Sequence, residues 1–192
     1  MTNRHPTHPQ RNFAQQRILR LTQDVFHGGT RILAEAAADR IGTITAVVGI
    51  ANGGLAPAAN IAHALQAPTY QVTARHNATD DLYLQANGSV IHDLRPLAAR
   101  LGGQRLHGNV LLVDDICGSG ATFTTLLPAL TPHLAATCTI HTAALCRNTG
   151  SDYHPHLWVW DVNDWVRFPW EGPVPGDHPI EDLNLPQRVH TA

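Results

Sequence analysis

Residues 110–122, VLLVDDICGSGAT, constrain this chain more than any other stretch. Val110-Leu111-Leu112-Val113 suits a strand buried on both faces. Asp114 and Asp115 follow at its C-terminal end, where open α/β sheets take up ligands. Gly118-Ser119-Gly120-Ala121-Thr122 then opens a helix, expected over 122–130. Small residues let backbone N–H groups approach an anion closely. The helix start adds a favourable dipole, and Ser119 and Thr122 add hydroxyls. The unit therefore holds an anion beside two carboxylates. Carboxylates repel a phosphate unless they bind something else, and sugar hydroxyls and Mg²⁺ are the groups that fit. A Walker loop is excluded, because GxxxxGK[ST] is absent and the chain has no lysine.

The rest of the chain repeats the strand-then-helix pattern. ITAVVGI, from Ile44, reads as a buried strand that ends in Ala51-Asn52-Gly53-Gly54. A helix follows from Ala56 to Leu65, with Pro57 in its first turn. Further strands are expected at 70–73, 137–145 and 158–160, and a short helix at 94–101. Residues 13–40 look helical, with Ile18, Leu19, Leu21, Val25 and Phe26 near a 3.6 period and a break expected at Gly28-Gly29. Residues 75–90 are polar and weakly patterned, a candidate mobile loop or small hairpin. Residues 1–12 read as a flexible leader and 172–192, rich in proline, as an extended tail. Strands alternating with helices predict an α/β domain over 13–171, a mostly parallel sheet flanked by helices.

Composition narrows the function classes. The 192 residues include 13 arginines and 15 acidic residues, a formal charge of −2. That balance speaks against a dedicated nucleic-acid binder. No apolar run approaches the ~18 residues of a membrane span, and the first residues lack the apolar core of a signal peptide. Three cysteines, Cys117, Cys138 and Cys146, form no CxxC pair and fit a reduced, cytoplasmic setting.

At this point a resemblance becomes specific. The 110–122 segment resembles the phosphoribosyl pyrophosphate (PRPP) motif of type I phosphoribosyltransferases. The resemblance implies that Asp114 and Asp115 contact the ribose hydroxyls, directly or through Mg²⁺. It also implies that Gly118, Ser119, Gly120, Ala121 and Thr122 bind the 5-phosphate. VVGIANGGLAPAANIA (47–62) is similar to the family's pyrophosphate loop, which places Ala51, Asn52, Gly53 and Gly54 there. Many purine enzymes carry Arg at the position of Asn52, so Arg75 or Mg²⁺ takes on more of the pyrophosphate. DVNDWVRFPWE (161–171) resembles the C-terminal segment of xanthine-guanine and hypoxanthine-type enzymes, where an aromatic residue stacks on the purine. Trp165, with Val166 beside it, maps there, while Trp158 and Trp160, on a strand, read as packing. The three elements together span roughly residues 15–171. They imply the family's core with a small hood built by the terminal segments, and transfer from PRPP to a purine-like base. A homo-oligomer is expected, with no membrane or nucleic-acid partner.

The sequence departs from that pattern at two places. In 6-oxopurine enzymes the third residue after the acid pair is usually Asp, which meets the purine N7; here it is Gly118. Those enzymes also read the exocyclic oxygen with a Lys, which this chain lacks. Cys146 or Arg147 falls near that position, and Arg147 carries a suitable donor fork. The general base is unassigned, with His76, Asp80 and Asp81 as candidates. A phosphoribosyltransferase for a non-standard heterocycle and a non-catalytic PRPP-sensing regulator stand as alternatives.

Overall fold

The computed structural model describes residues 11–75, 90–173 and 176–192. His76, Asp80 and Asp81 lie outside the described residues. The elements in chain order are β1 (Ile18–Arg20), α1 (Gln23–Ile41), β2 (Ile44–Ala51), α2 (Leu55–Leu65), β3 (Thr69–Arg75), β4 (Ile91–Asp93) and α3 (Arg95–Leu101). They continue with β5 (Asn109–Cys117), α4 (Ala121–Leu130), β6 (Thr139–Asn148), β7 (Leu157–Val162), β8 (Trp165–Arg167), β9 (Ile180–Asp182) and β10 (His190–Thr191).

The main sheet runs β10-β7-β6-β5-β2-β3-β4. Its inner strands are parallel, and β4 and β10 close the two edges antiparallel. Alternating side chains divide the core between the two faces, as the strand period of two requires. Val47, Leu111, Val113 and Leu145 pack with Phe26 and Leu33 of α1 and Ile61 of α2. Val48, Val110 and Leu112 pack with Leu97 of α3 and Phe123 and Leu126 of α4. The predicted α/β class, helices on both faces of a mostly parallel sheet, is the one observed.

Three boundaries differ from the sequence reading. Residues 13–40 are not two helices. Ile18 and Leu19 are buried in β1, which pairs in parallel with β8 on one side and β9 on the other. The helix begins only after Thr22, whose hydroxyl accepts from the Val25 N–H at 3.5 Å. It then runs unbroken through Gly28 and Gly29. Gly29 is small because the Trp160 ring lies against it, where a β-carbon would collide. The apolar period that suggested an earlier helix is shared between a strand and a helix that happen to be adjacent.

The termini are also more structured than expected. Within 172–192, β9 completes the three-stranded β8-β1-β9 sheet and β10 pairs with β7. This small sheet is the expected hood. Residues 11 and 12 are anchored rather than loose: the Asn12 N–H donates to Asn148 Oδ1 at 2.6 Å, and Asn148 Nδ2 donates back to the Asn12 carbonyl at 3.0 Å. Finally, β5 continues through the acid pair to Cys117, held by β6 pairing at Asp114, Ile116 and Cys117.

Candidate active site

Chain order brings β2, β3 and β5 to one edge. After β2 the chain moves through α2 to β3; after β3 it returns through α3 to β5, on the other side of β2. The reversal falls between β2 and β5, and such a switch point opens a crevice at the carboxyl ends of the strands. A cleft of about 570 Å³ lies there, lined by Asn52, Gly53, Arg75, Asp114, Asp115 and the 118–120 turn, among others.

The acid pair sits at the floor. Asp114 Oδ1 accepts from the Asp115 N–H at 3.0 Å, and Asp115 Oδ1 accepts from the Ile116 N–H at 2.7 Å. Loss of water raises both carboxyls above their ordinary range; Asp115 reaches about 6, and the neighbouring Asp115 charge pushes Asp114 up further. The second loop touches the first. A β-carbon on Gly53 would run into the Asp115 carboxylate, so only glycine lets the 51–54 turn lie against the acid. The Ala51–Asn52 peptide in this turn is cis.

Beyond the acids the chain enters α4. Gly120 takes a left-handed backbone, φ 84°, that turns the strand into the helix. Ser119 is buried, and its Oγ accepts from the Ala121 N–H at 3.4 Å. Thr122 also lines the cleft. Tyr153 stacks on Phe123 with ring centres 5.5 Å apart and packs against Gly120. The start of α4 thus brings Ser119, Gly120 and Thr122 to the cleft, an arrangement suited to a phosphate.

The hood supplies the opposite wall. Trp165 is partly buried, Val166 is buried, and both line the cleft with Phe168 and Trp170. Phe168 and Trp170 stack 5.0 Å apart at 8°, and Phe26 meets Trp170 edge-on at 5.3 Å. Phe13 leans on Trp165 at 6.3 Å.

The structure therefore gathers Asp114, Asp115, Gly118, Ser119, Gly120, Thr122, Ala51, Asn52, Gly53, Arg75, Trp165 and Val166 around one cleft. Gly54 and Ala121 sit just behind it, as the N-cap of α2 and the first residue of α4. Arg147 is not brought there. Its guanidinium donates to the carbonyls of Ser151 at 2.9 Å and Tyr153 at 3.3 Å and to Asp161 Oδ1 at 3.0 Å, and it lies over the Trp158 ring at 5.5 Å. Those bonds turn its donor fork toward the 148–154 turn. Cys146 is buried within β6. Trp158 and Trp160 are buried, and their indole N–H groups donate to Asp161 Oδ1 and the Asn184 carbonyl.

Sequence reasoning missed Arg11, Phe13, Thr73, Asn148, Phe168 and Trp170, which also line the cleft. Phe168 and Trp170 lay inside the aromatic segment already noted. Arg11 had no local signal, since it belongs to a polar stretch.

Residues 21–175 match the phosphoribosyl transferase domain family. The chain belongs to that family. As a phosphoribosyltransferase it is an enzyme of the class that uses PRPP and a base, and its fold is the type I fold. Among solved structures it is similar to the purine phosphoribosyltransferase of Pyrococcus horikoshii, at 22% identity and TM-score 0.66, covering 83% of this chain and 99% of that one. It is also similar to the Helicobacter pylori xanthine-guanine-hypoxanthine phosphoribosyltransferase, at 18% identity and TM-score 0.63, covering 80% and 94%. A hypothetical protein from Neisseria gonorrhoeae with bound ppGpp matches at 25% identity and TM-score 0.61, covering 82% and 91%. No helix among the described residues is long and apolar enough to cross a membrane.

Proposed function

We propose that this phosphoribosyltransferase transfers the 5-phosphoribosyl group of PRPP to a ring nitrogen of a purine-like base and releases pyrophosphate. The observation that carries this reading is one cleft with three chemically distinct walls. The acid pair, the start of α4 and the Trp165 side chain line it together. An anion site, a site for hydroxyls or a cation, and a flat apolar wall are what PRPP and a purine need together. The Neisseria neighbour was solved with bound ppGpp, a guanine nucleotide, which favours a purine-type ligand for this fold.

In this reading Ser119, Thr122 and the N–H groups of Gly118, Gly120 and Ala121 hold the 5-phosphate. That grip lies away from the reacting carbon and supplies binding energy to position it. Asp114 and Asp115 orient the ribose through its hydroxyls. Ala51, Asn52, Gly53 and Gly54 present backbone to the pyrophosphate, with Arg75 at the end of β3 adding positive charge. Trp165 and Val166 flank the base.

Mg²⁺ fits this site. Among the described residues no three His, Cys, Asp or Glu side chains converge as a self-sufficient metal cage. Mg²⁺ is commonly held by one or two carboxylates together with substrate oxygens, and a crowded, desolvated acid pair is such a partial site. Asp114 and Asp115 would hold the ion, which neutralises the charge that grows on the leaving pyrophosphate. In the reaction the bond from the ring nitrogen to C1 forms while the C1–oxygen bond to pyrophosphate breaks. The ring N–H proton leaves to solvent or to the departing pyrophosphate. We place the enzyme in the cytoplasm as a homo-oligomer.

A second reading, an acceptor outside the standard purines, draws on Gly118, which leaves no carboxylate at the position that meets N7 in 6-oxopurine enzymes. Incubation with PRPP, Mg²⁺ and single purines, followed by mass spectrometry of the nucleotide formed, separates the two. A purine ribonucleoside monophosphate supports the first. Intact PRPP with every purine refutes it.

A further inference from the structure

The missing carboxylate at Gly118 has a counterpart in the structure. The Arg11 guanidinium lies where a side chain on residue 118 would be. A β-carbon there would collide with Arg11 Nε, with Cζ and one terminal nitrogen 2.9 Å away. Arg11 lines the same cleft as Asp114, Asp115, Ile116 and Trp165, and its charge acts on both carboxyls of the acid pair, opposing the rise that burial imposes on them. Its approach is built. The backbone of Asn12 is clasped on both sides by the Asn148 amide. The Ala14 N–H donates to the Asn163 carbonyl at 2.8 Å. Asp164, buried, then accepts from the N–H groups of Gln15 and Gln16 and from Arg17 Nε. The chain is thus pinned at residue 12 and again over 14–17, which delivers residue 11 to the cleft.

We infer that Arg11 is a specificity-determining residue of the acceptor site, which reads the O6/N7 edge of a 6-oxopurine and discriminates against 6-aminopurines. The inference deepens the proposed function and rests on it. Guanidinium is a planar fork with donors only. The 6-oxopurine edge offers two acceptors, N7 and O6, in the spacing that an arginine fork meets bidentately. Adenine offers N7 beside an amino donor, so one arm of the fork would face a donor. Arg11 thereby takes over, from the N-terminal segment, the reading of the exocyclic oxygen that this lysine-free chain otherwise lacks. Gly118 is the partner that makes room for it. Arg147, bonded to the 148–154 turn, does not compete for the role.

The test compares wild type with Arg11→Gln and Gly118→Ala in steady-state assays with hypoxanthine, guanine, xanthine and adenine, each at saturating PRPP. The same enzymes are then assayed with PRPP varied. Thermal melts confirm that each variant is folded. We expect Arg11→Gln to lower kcat/KM for the 6-oxopurines roughly ten- to a hundredfold through the KM for the base. The KM for PRPP should hold and the preference over adenine should shrink. Gly118→Ala, which evicts the guanidinium without touching Arg11 itself, should likewise shrink the preference for 6-oxopurines over adenine; its KM for PRPP is not a control, because residue 118 belongs to the phosphate turn. Oxopurine turnover by wild type with an unchanged base KM and preference in Arg11→Gln overturns this inference and leaves the proposed function standing. A rise in the KM for PRPP alone puts Arg11 on phosphate and also overturns it. No oxopurine turnover by wild type overturns both.

Discussion

The Asp115 carboxylate rests directly against Gly53, so the loop after β2 and the acid pair at the end of β5 form one surface. A side chain at residue 53 would press on the acid. Gly53→Ala should therefore leave the fold intact and displace the acid. Small misplacements of a positioning group can cost about a hundredfold in rate. We expect kcat to fall by about that factor, read by pyrophosphate release. A variant with wild-type kcat would show that the contact is dispensable.

The acid pair opposes stability in the free enzyme. Burial raises the folded-state Asp115 from 3.8 to about 6, and Asp114 shifts the same way. Between those values the folded chain binds more protons than the unfolded one. The free enzyme thus loses stability as pH rises through that window. Asp115→Asn should abolish turnover yet raise Tm at pH 8. A gain of about 1 kcal/mol corresponds to about 2–4 °C for a chain of this size. Mg²⁺ with PRPP should narrow the gap between the two proteins. Calorimetric scans at pH 5 and pH 8 check this, and a variant that melts lower at pH 8 would contradict it.

Asp164 ties the N-terminal segment to the hood. It is buried and accepts from Gln15, Gln16 and Arg17. Asp164→Ala leaves those donors without that partner, a loss of about 1–3 kcal/mol. Urea denaturation should show a lower midpoint, and the KM for the base should rise because residues 11–17 are no longer held. Retention of both would break the link between this anchor and the cleft.

Much of this design was legible in the sequence because it is local. The strand-acid-turn-helix unit of 110–122 and the 47–62 unit each carry their signal within one short stretch, and the apolar runs fix the sheet. What was not legible depends on distant partners. Ile18 and Leu19 form a strand only because β8 and β9 flank them, so a helical period misled. Arg11 is aimed by Asn148 and Asp164, more than a hundred residues away. Arg147 had the right chemistry near the right place, but the carbonyls of Ser151 and Tyr153 claim its donors.

Trp165→Ala tests the hood wall separately. Base–aromatic stacking is commonly worth about 1–3 kcal/mol, so the KM for the base should rise roughly tenfold while the KM for PRPP holds. Equal changes in both would move Trp165 out of the acceptor site.

Cysteine reactivity reports on the packing around β5 and β6. Burial pushes Cys117 up to about 11, against the pull of the Ser151 hydroxyl, and pushes buried Cys146 well above the usual thiol range. Cys138 is only partly buried. Iodoacetamide at pH 8 should label Cys138 first in the native enzyme and all three in urea, read by peptide mass spectrometry. Early labelling of Cys117 would contradict the described packing.

The proposed reaction joins PRPP to a purine-like base within one cleft. The direct measurement is Mg²⁺-dependent pyrophosphate release from PRPP across hypoxanthine, guanine, xanthine, adenine, uracil and orotate, run beside Asp115→Asn. We expect release with a purine and none from the variant. PRPP binding without release for any purine, or equal release by the variant, would contradict it.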